Sequence, residues 1–159
     1  MTEKSYIQML VESLEKKCDI LRQIQLLCYQ QEEILKDDKA EAEAFEQNVE
    51  KKAVLIEHLE KLDQGFEQIF ARVEQELQSK KEQYKDEILR MQNQIREITE
   101  RSANIQISEK RNKELAQKKF ASVRSQAKEL RQSGKVVSSY YQGMMKAGTT
   151  EPQFMDSKK

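Results

Sequence analysis

The chain has 159 residues, of which 35 % are charged, 37 % hydrophobic and only 6 % aromatic, with no tryptophan and a formal net charge of zero. That length points to one domain, and the composition suits long, narrow helices with thin apolar seams better than a globular core. No run approaches the roughly 18 apolar residues a membrane span needs, and the N-terminus has no apolar signal region, so a cytoplasmic protein without stable membrane insertion is expected.

The first predicted helix covers about residues 4–36. Thr2 or Ser5 can cap it, and Ile7, Val11, Leu14, Cys18, Leu21, Gln25, Cys28, Glu32 and Leu35 keep a seven-residue repeat. Leu10, Ile24 and Leu27 widen this stripe beyond a two-stranded seam, which implies at least two neighbouring helices. Lys36-Asp37-Asp38-Lys39 then breaks the rhythm and offers Asp38 as the next cap.

A second helix over about 39–63 runs through Phe45, Val49, Ala53, Ile56, Leu59 and Leu62, with glutamates in its first turns where the helix dipole favours them. Asp63-Gln64-Gly65 is the only glycine-marked interruption in the first 133 residues, so a turn or sharp kink is expected there. From Phe66 to Ser133 there is neither glycine nor proline, and this stretch reads as a third helix with a candidate second break near 78–80. Unbroken, it would reach about 100 Å, so the rest of the chain is expected to run alongside it. Its seam steps through Tyr84, Ile88, Met91, Ile95, Ile98, Ser102 and Ile105, then meets polar Glu109 and Asn112 before resuming at Ala116 and Phe120. Two consecutive steps of four make a stutter there, which marks this middle as weakly packed and a place for a bend.

The fold expected is all-α: an elongated antiparallel three-helix bundle of the long helical hairpin type over residues 1–133. Residues 134–159 hold three of the four glycines and the one proline among Val136, Val137, Tyr140, Tyr141, Met144, Met145, Phe154 and Met155. A flexible, partly disordered apolar tail that folds onto a partner, or back onto the bundle, is expected. From Lys110 to Lys159 there are 12 basic and 4 acidic residues, balanced by acidic residues upstream. Acidic and basic faces of neighbouring helices side by side account for this, and no nucleic-acid motif accompanies it.

Chemistry is sparse. His58 is the only histidine, so a di-iron site built from paired Glu-x-x-His motifs is excluded. Cys18 and Cys28 lie on one helix about 15 Å apart, too far to bridge each other, and read as small buried hydrophobes. With no Cys-x-x-Cys, phosphate loop or triad, no enzyme, metal or cofactor is expected.

Three segments carry a family resemblance: the helix end Leu35-Lys36-Asp37-Asp38; the Glu-rich run from Ala44 to Glu60; and Glu109-Lys110-Arg111-Asn112-Lys113-Glu114-Leu115, continuing through Phe120, Val123 and Leu130 to Tyr140-Tyr141-Gln142-Gly143. Together they resemble the FlgN family of flagellar export chaperones over most of residues 5–145. The resemblance implies a cytoplasmic chaperone that binds the C-terminal helices of hook-filament junction proteins, prevents their premature assembly and delivers them to the export gate. By position it implies client binding at Leu115, Phe120, Val123, Ala127, Leu130, Val136 and Val137, and export-gate docking at Tyr140 or Tyr141. Phe120, Val123, Ala127 and Leu130 have the spacing of helix-in-groove anchors. The chain departs from the family in its continuous helical pattern through 66–80 and its extra tail from Pro152 to Lys159. A self-associating structural coiled coil, including a homodimer, and a coiled-coil regulator of the export ATPase remain the alternatives.

Overall fold

Helix α1 spans Glu3–Lys36, α2 Ala42–Ser79 and α3 Lys85–Lys119 in a computed structural model that describes residues 2–121 and 140–141. The described residues hold no strand, and the fold is an all-α, elongated, antiparallel three-helix bundle. Two polar contacts fix the register of α3 on α1: Gln94 donates to the Val11 carbonyl at 3.2 Å and Asn112 to the Cys28 carbonyl at 2.9 Å. These place α3 parallel to α1. Helix α2 runs the other way, with the Arg72 guanidinium 4.7 Å from the Tyr6 ring centroid near one end and Asn48 donating to the Leu27 carbonyl towards the other.

The organising element is therefore α1, not the Phe66–Ser133 stretch. Helix α1 packs along both neighbours, which approach each other far less. Its wide stripe explains this, because Ile7, Val11, Leu14 and Cys18 are interleaved with Leu10, Leu21, Ile24 and Cys28, all buried. A stripe that broad covers two helices. Thr2 caps α1, its hydroxyl oxygen accepting from the Ser5 N–H at 3.2 Å.

The expected division at 63–65 is corrected: α2 continues through Gly65, and the chain turns at 80–84 instead, next to the candidate second break near 78–80. Ile56, Leu59, Asp63, Phe66, Phe70, Val73 and Leu77 hold three-and-four spacing across the glycine, with each of them buried or half-buried. One helical glycine costs only about 1 kcal/mol against that continuous burial. Gln78 to Gln83, by contrast, is six polar residues, all exposed, so no apolar face remains there to hold a helix on the bundle.

Two smaller expectations also change. Asp38 does not cap α2, which starts after Glu41 without a side-chain cap; Asp37 instead accepts from the Lys39 N–H at 2.9 Å. Helix α3 runs unbroken through the stutter at Asn112 and ends at Lys119, short of the expected Ser133. The Lys119 ammonium donates to the Ile34 and Asp37 carbonyls, at 3.2 and 2.7 Å, and so closes the C-terminus of α1. The expected tail lies outside the described residues except for Tyr140 and Tyr141.

Candidate functional site

Where α1 ends, Leu35 and Ala116 are buried with Phe45, Leu115 and Phe120 packed half-buried around them. The Phe45 and Phe120 rings lie 5.6 Å apart, tilted by 58°. This cluster brings together the first two expected client-binding residues, Leu115 near the end of α3 and Phe120 at its C-cap. Val123, Ala127, Leu130, Val136 and Val137 lie outside the described residues.

Below that apolar end sits a buried polar layer. The Lys52 ammonium is 3 % exposed and donates to Glu109 at 2.6 Å and to the Gln31 side-chain oxygen at 2.9 Å. Asn112 donates to the same Gln31 oxygen at 3.1 Å, and the Cys28 thiol donates to Glu109 at 3.0 Å. The layer thus joins all three helices. The seam reading located Glu109 and Asn112 but missed Lys52 and Asn48, because the apolar residues beside them, Val49 and Ala53, suggested a seam rotated by one position. Buried charge of this kind adds little net stability, yet it punishes any shift that separates the partners. Its physical effect is to fix register. The Asn48 and Asn112 side-chain oxygens are buried and accept no hydrogen bond among the described residues.

The tyrosine pair is the second polar feature. Tyr140 donates to Asp63 at 2.9 Å, and the other Asp63 oxygen takes the Lys17 ammonium at 2.6 Å. Asp63, read as the start of a break, is instead a seam residue with two partners. Tyr141 is completely buried in the main core, its ring 5.3 Å from that of Tyr140 in an edge-on arrangement. Burial raises the pKa of both phenols; Asp63 adds to the effect at Tyr140, and Cys28 and Glu109 add to it at Tyr141. Tyr141 therefore lies near α1 and α3 while Tyr140 holds α2. Burying a tyrosine ring removes about 150–250 Å² from water, worth roughly 4–6 kcal/mol as an upper figure. Against this, the Tyr141 hydroxyl makes no hydrogen bond among the described residues, which costs about 1–3 kcal/mol.

Burial pushes the Cys18 thiol up to about 11 and the Cys28 thiol higher still, with Glu109 adding to the shift, so neither is a ready nucleophile. His58 faces solvent. No cluster of metal-ligating side chains occurs among the described residues, and no helix there is long and apolar enough to cross a membrane.

A protein-family model described as FlgN protein matches residues 1–149, spanning all three helices and the tyrosine pair. No curated protein and no solved structure matches the chain.

Proposed function

The chain belongs to the FlgN family of flagellar export chaperones, and on that premise we propose that its clients are the proteins joining hook to filament. It binds their C-terminal helices in the cytoplasm, keeps them from assembling early and hands them to the export gate. The observation that carries this reading is the extent of the family match, which takes in the whole bundle. The family is one of chaperones rather than enzymes, and we assign the chain no reaction or cofactor of its own.

The client surface begins at the apolar end of α3. Leu115 and Phe120 sit half-buried there, so each keeps part of its surface for a partner. Val123, Ala127 and Leu130 follow Phe120 at three-and-four spacing in the sequence, with Val136 and Val137 beyond. An amphipathic client helix presents the complementary stripe. Tyr140 or Tyr141 supplies the contact with the export gate, Tyr140 being the one whose side chain keeps part of its surface exposed.

Size-exclusion chromatography with light scattering tests this on the purified chain, alone and mixed with C-terminal segments of hook-filament junction proteins. A stoichiometric complex is expected, and Phe120→Asp with Val123→Asp should abolish it while circular dichroism still reports the helices. Retained binding in that folded variant would move the client surface elsewhere. No complex with any such segment, and elution as a self-associated rod, would replace the chaperone reading with a structural coiled coil.

A further inference from the structure

The buried apolar residues of the described bundle fall into two clusters rather than one. The main core takes in Ile7 to Cys28 on α1, Ile56 to Leu77 on α2 and Ile88 to Ile105 on α3. At the end of the bundle where α1 and α3 finish and α2 begins, only Leu35 and Ala116 are buried, with Phe45, Leu115 and Phe120 half-buried around them. Between the two clusters lies the polar layer of Gln31, Asn48, Lys52, Glu109 and Asn112, which interrupts the apolar seams of all three helices at one level.

The two sides of that layer differ. In chain order the Lys52–Glu109 pair stands on the core side, while Asn48 and Asn112 stand on the end side. Each asparagine donates to a carbonyl of α1, but its side-chain oxygen is buried without a partner among the described residues. Separation of the helices at this level lets water reach both oxygens, which lowers the cost of opening there. The end itself is held by few contacts. Lys119 on the Ile34 and Asp37 carbonyls, the Phe45–Phe120 ring contact and the surface Arg111–Glu32 pair join its helices, and α2 begins there without a side-chain cap.

We infer that this end, residues 32–48 with 112–120, opens as one cooperative unit while the main core stays folded, the Lys52–Glu109 pair marking its limit. Opening frees Leu35, Phe45 and Ala116 along with Leu115 and Phe120, so an amphipathic partner helix meets the whole cluster instead of two half-buried side chains. The unit rests on the chaperone reading only for that partner. Its test uses the free chain without client, so failure of the client complex and failure of the unit are separate results.

The test is native-state hydrogen exchange of single amides by nuclear magnetic resonance, with urea added below the unfolding transition. Leu35, Leu115 and Ala116 report on the end, and Leu21, Leu59 and Ile105 on the main core. The end amides are expected to exchange at least about a hundredfold faster than the core amides, with one shared dependence on urea. Independent fraying of three helix ends gives the same excess speed, so coupling between helices decides. Phe45→Ala on α2 removes the ring contact with Phe120 and should speed exchange at Leu35, Leu115 and Ala116 by a common factor of roughly tenfold, leaving Leu21, Leu59 and Ile105 unchanged. No change at Leu35 would overturn the unit in favour of fraying. An equal change at all six amides would overturn it in favour of a single cooperative bundle. If Phe45→Ala does not fold, Lys119→Gln, which removes the cation from the α1 carbonyls, repeats the comparison with the same readings.

Discussion

Replacing Lys52 by methionine would leave the Glu109 carboxylate in a nearly dry seam without its cation. Glu109 keeps a small outlet to water, 14 % of its side chain, so the expected loss is roughly 2–4 kcal/mol, somewhat under that of a fully buried pair. Urea unfolding followed by circular dichroism measures it. Lys52→Met combined with Glu109→Leu should cost less than Lys52→Met alone, since no charge is then stranded. A single substitution within about 0.5 kcal/mol of the parent would mean that the pair is solvated in solution. Tyr141→Phe runs the other way: it removes a hydroxyl with no partner, and a gain of about 1 kcal/mol is expected in the same assay. Both positions were only partly legible in the sequence. Lys52 reads as one more surface lysine among many, and nothing local marks it as facing Gln31 and Glu109.

At the scale of the element, Gly65 is the informative residue. Helix α2 carries it without a left-handed backbone, and a methyl group added there would meet nothing within 4 Å. Gly65→Ala should therefore raise the thermal midpoint, in keeping with a gain of about 1 kcal/mol from helix propensity. A lowered midpoint would show that the glycine accommodates a bend in solution. The misplaced division between α2 and α3 has the same origin. A glycine beside an aspartate is a strong local turn signal, but Asp63 is a seam residue satisfied by Lys17 and Tyr140, and the apolar pattern continues beyond it. The true turn at 80–84 has no glycine or proline and is marked only by the polar run from Gln78 to Gln83.

For the whole molecule the buried protonated groups set an alkaline limit. The ordinary values are 9.0 for cysteine and 10.0 for tyrosine, and folding raises both thiols and the Tyr140 and Tyr141 phenols above them. Above about pH 9 the unfolded chain releases these protons while the folded chain keeps them, so stability falls as pH rises. The contribution is fully present below those ordinary values and is lost as pH climbs through the folded ones. Urea midpoints measured between pH 8 and pH 11 should decline, and Tyr141→Phe should make the decline shallower. A flat profile would indicate that these groups ionise freely in the folded chain. Cross-helix surface pairs such as Arg22–Glu97 and Arg111–Glu32 add register more than stability, because solvent and salt screen them.

The sequence by itself determined the helical class, the wide face of α1 that demands two neighbours, and nearly the whole buried stripe of α3 from Tyr84 to Ala116. Those features depend on periodicity within one helix, which is a local property of the chain. Only the tertiary structure decided that α1 is the central element, that Gln31, Lys52, Glu109 and Asn112 meet in one layer, and that Asp63 holds both Lys17 and Tyr140. Each of those facts requires the relative register of separate helices. Register is fixed by contacts between residues dozens of positions apart, such as Asn112 on Cys28 and Tyr140 on Asp63, which no spacing along a single helix encodes.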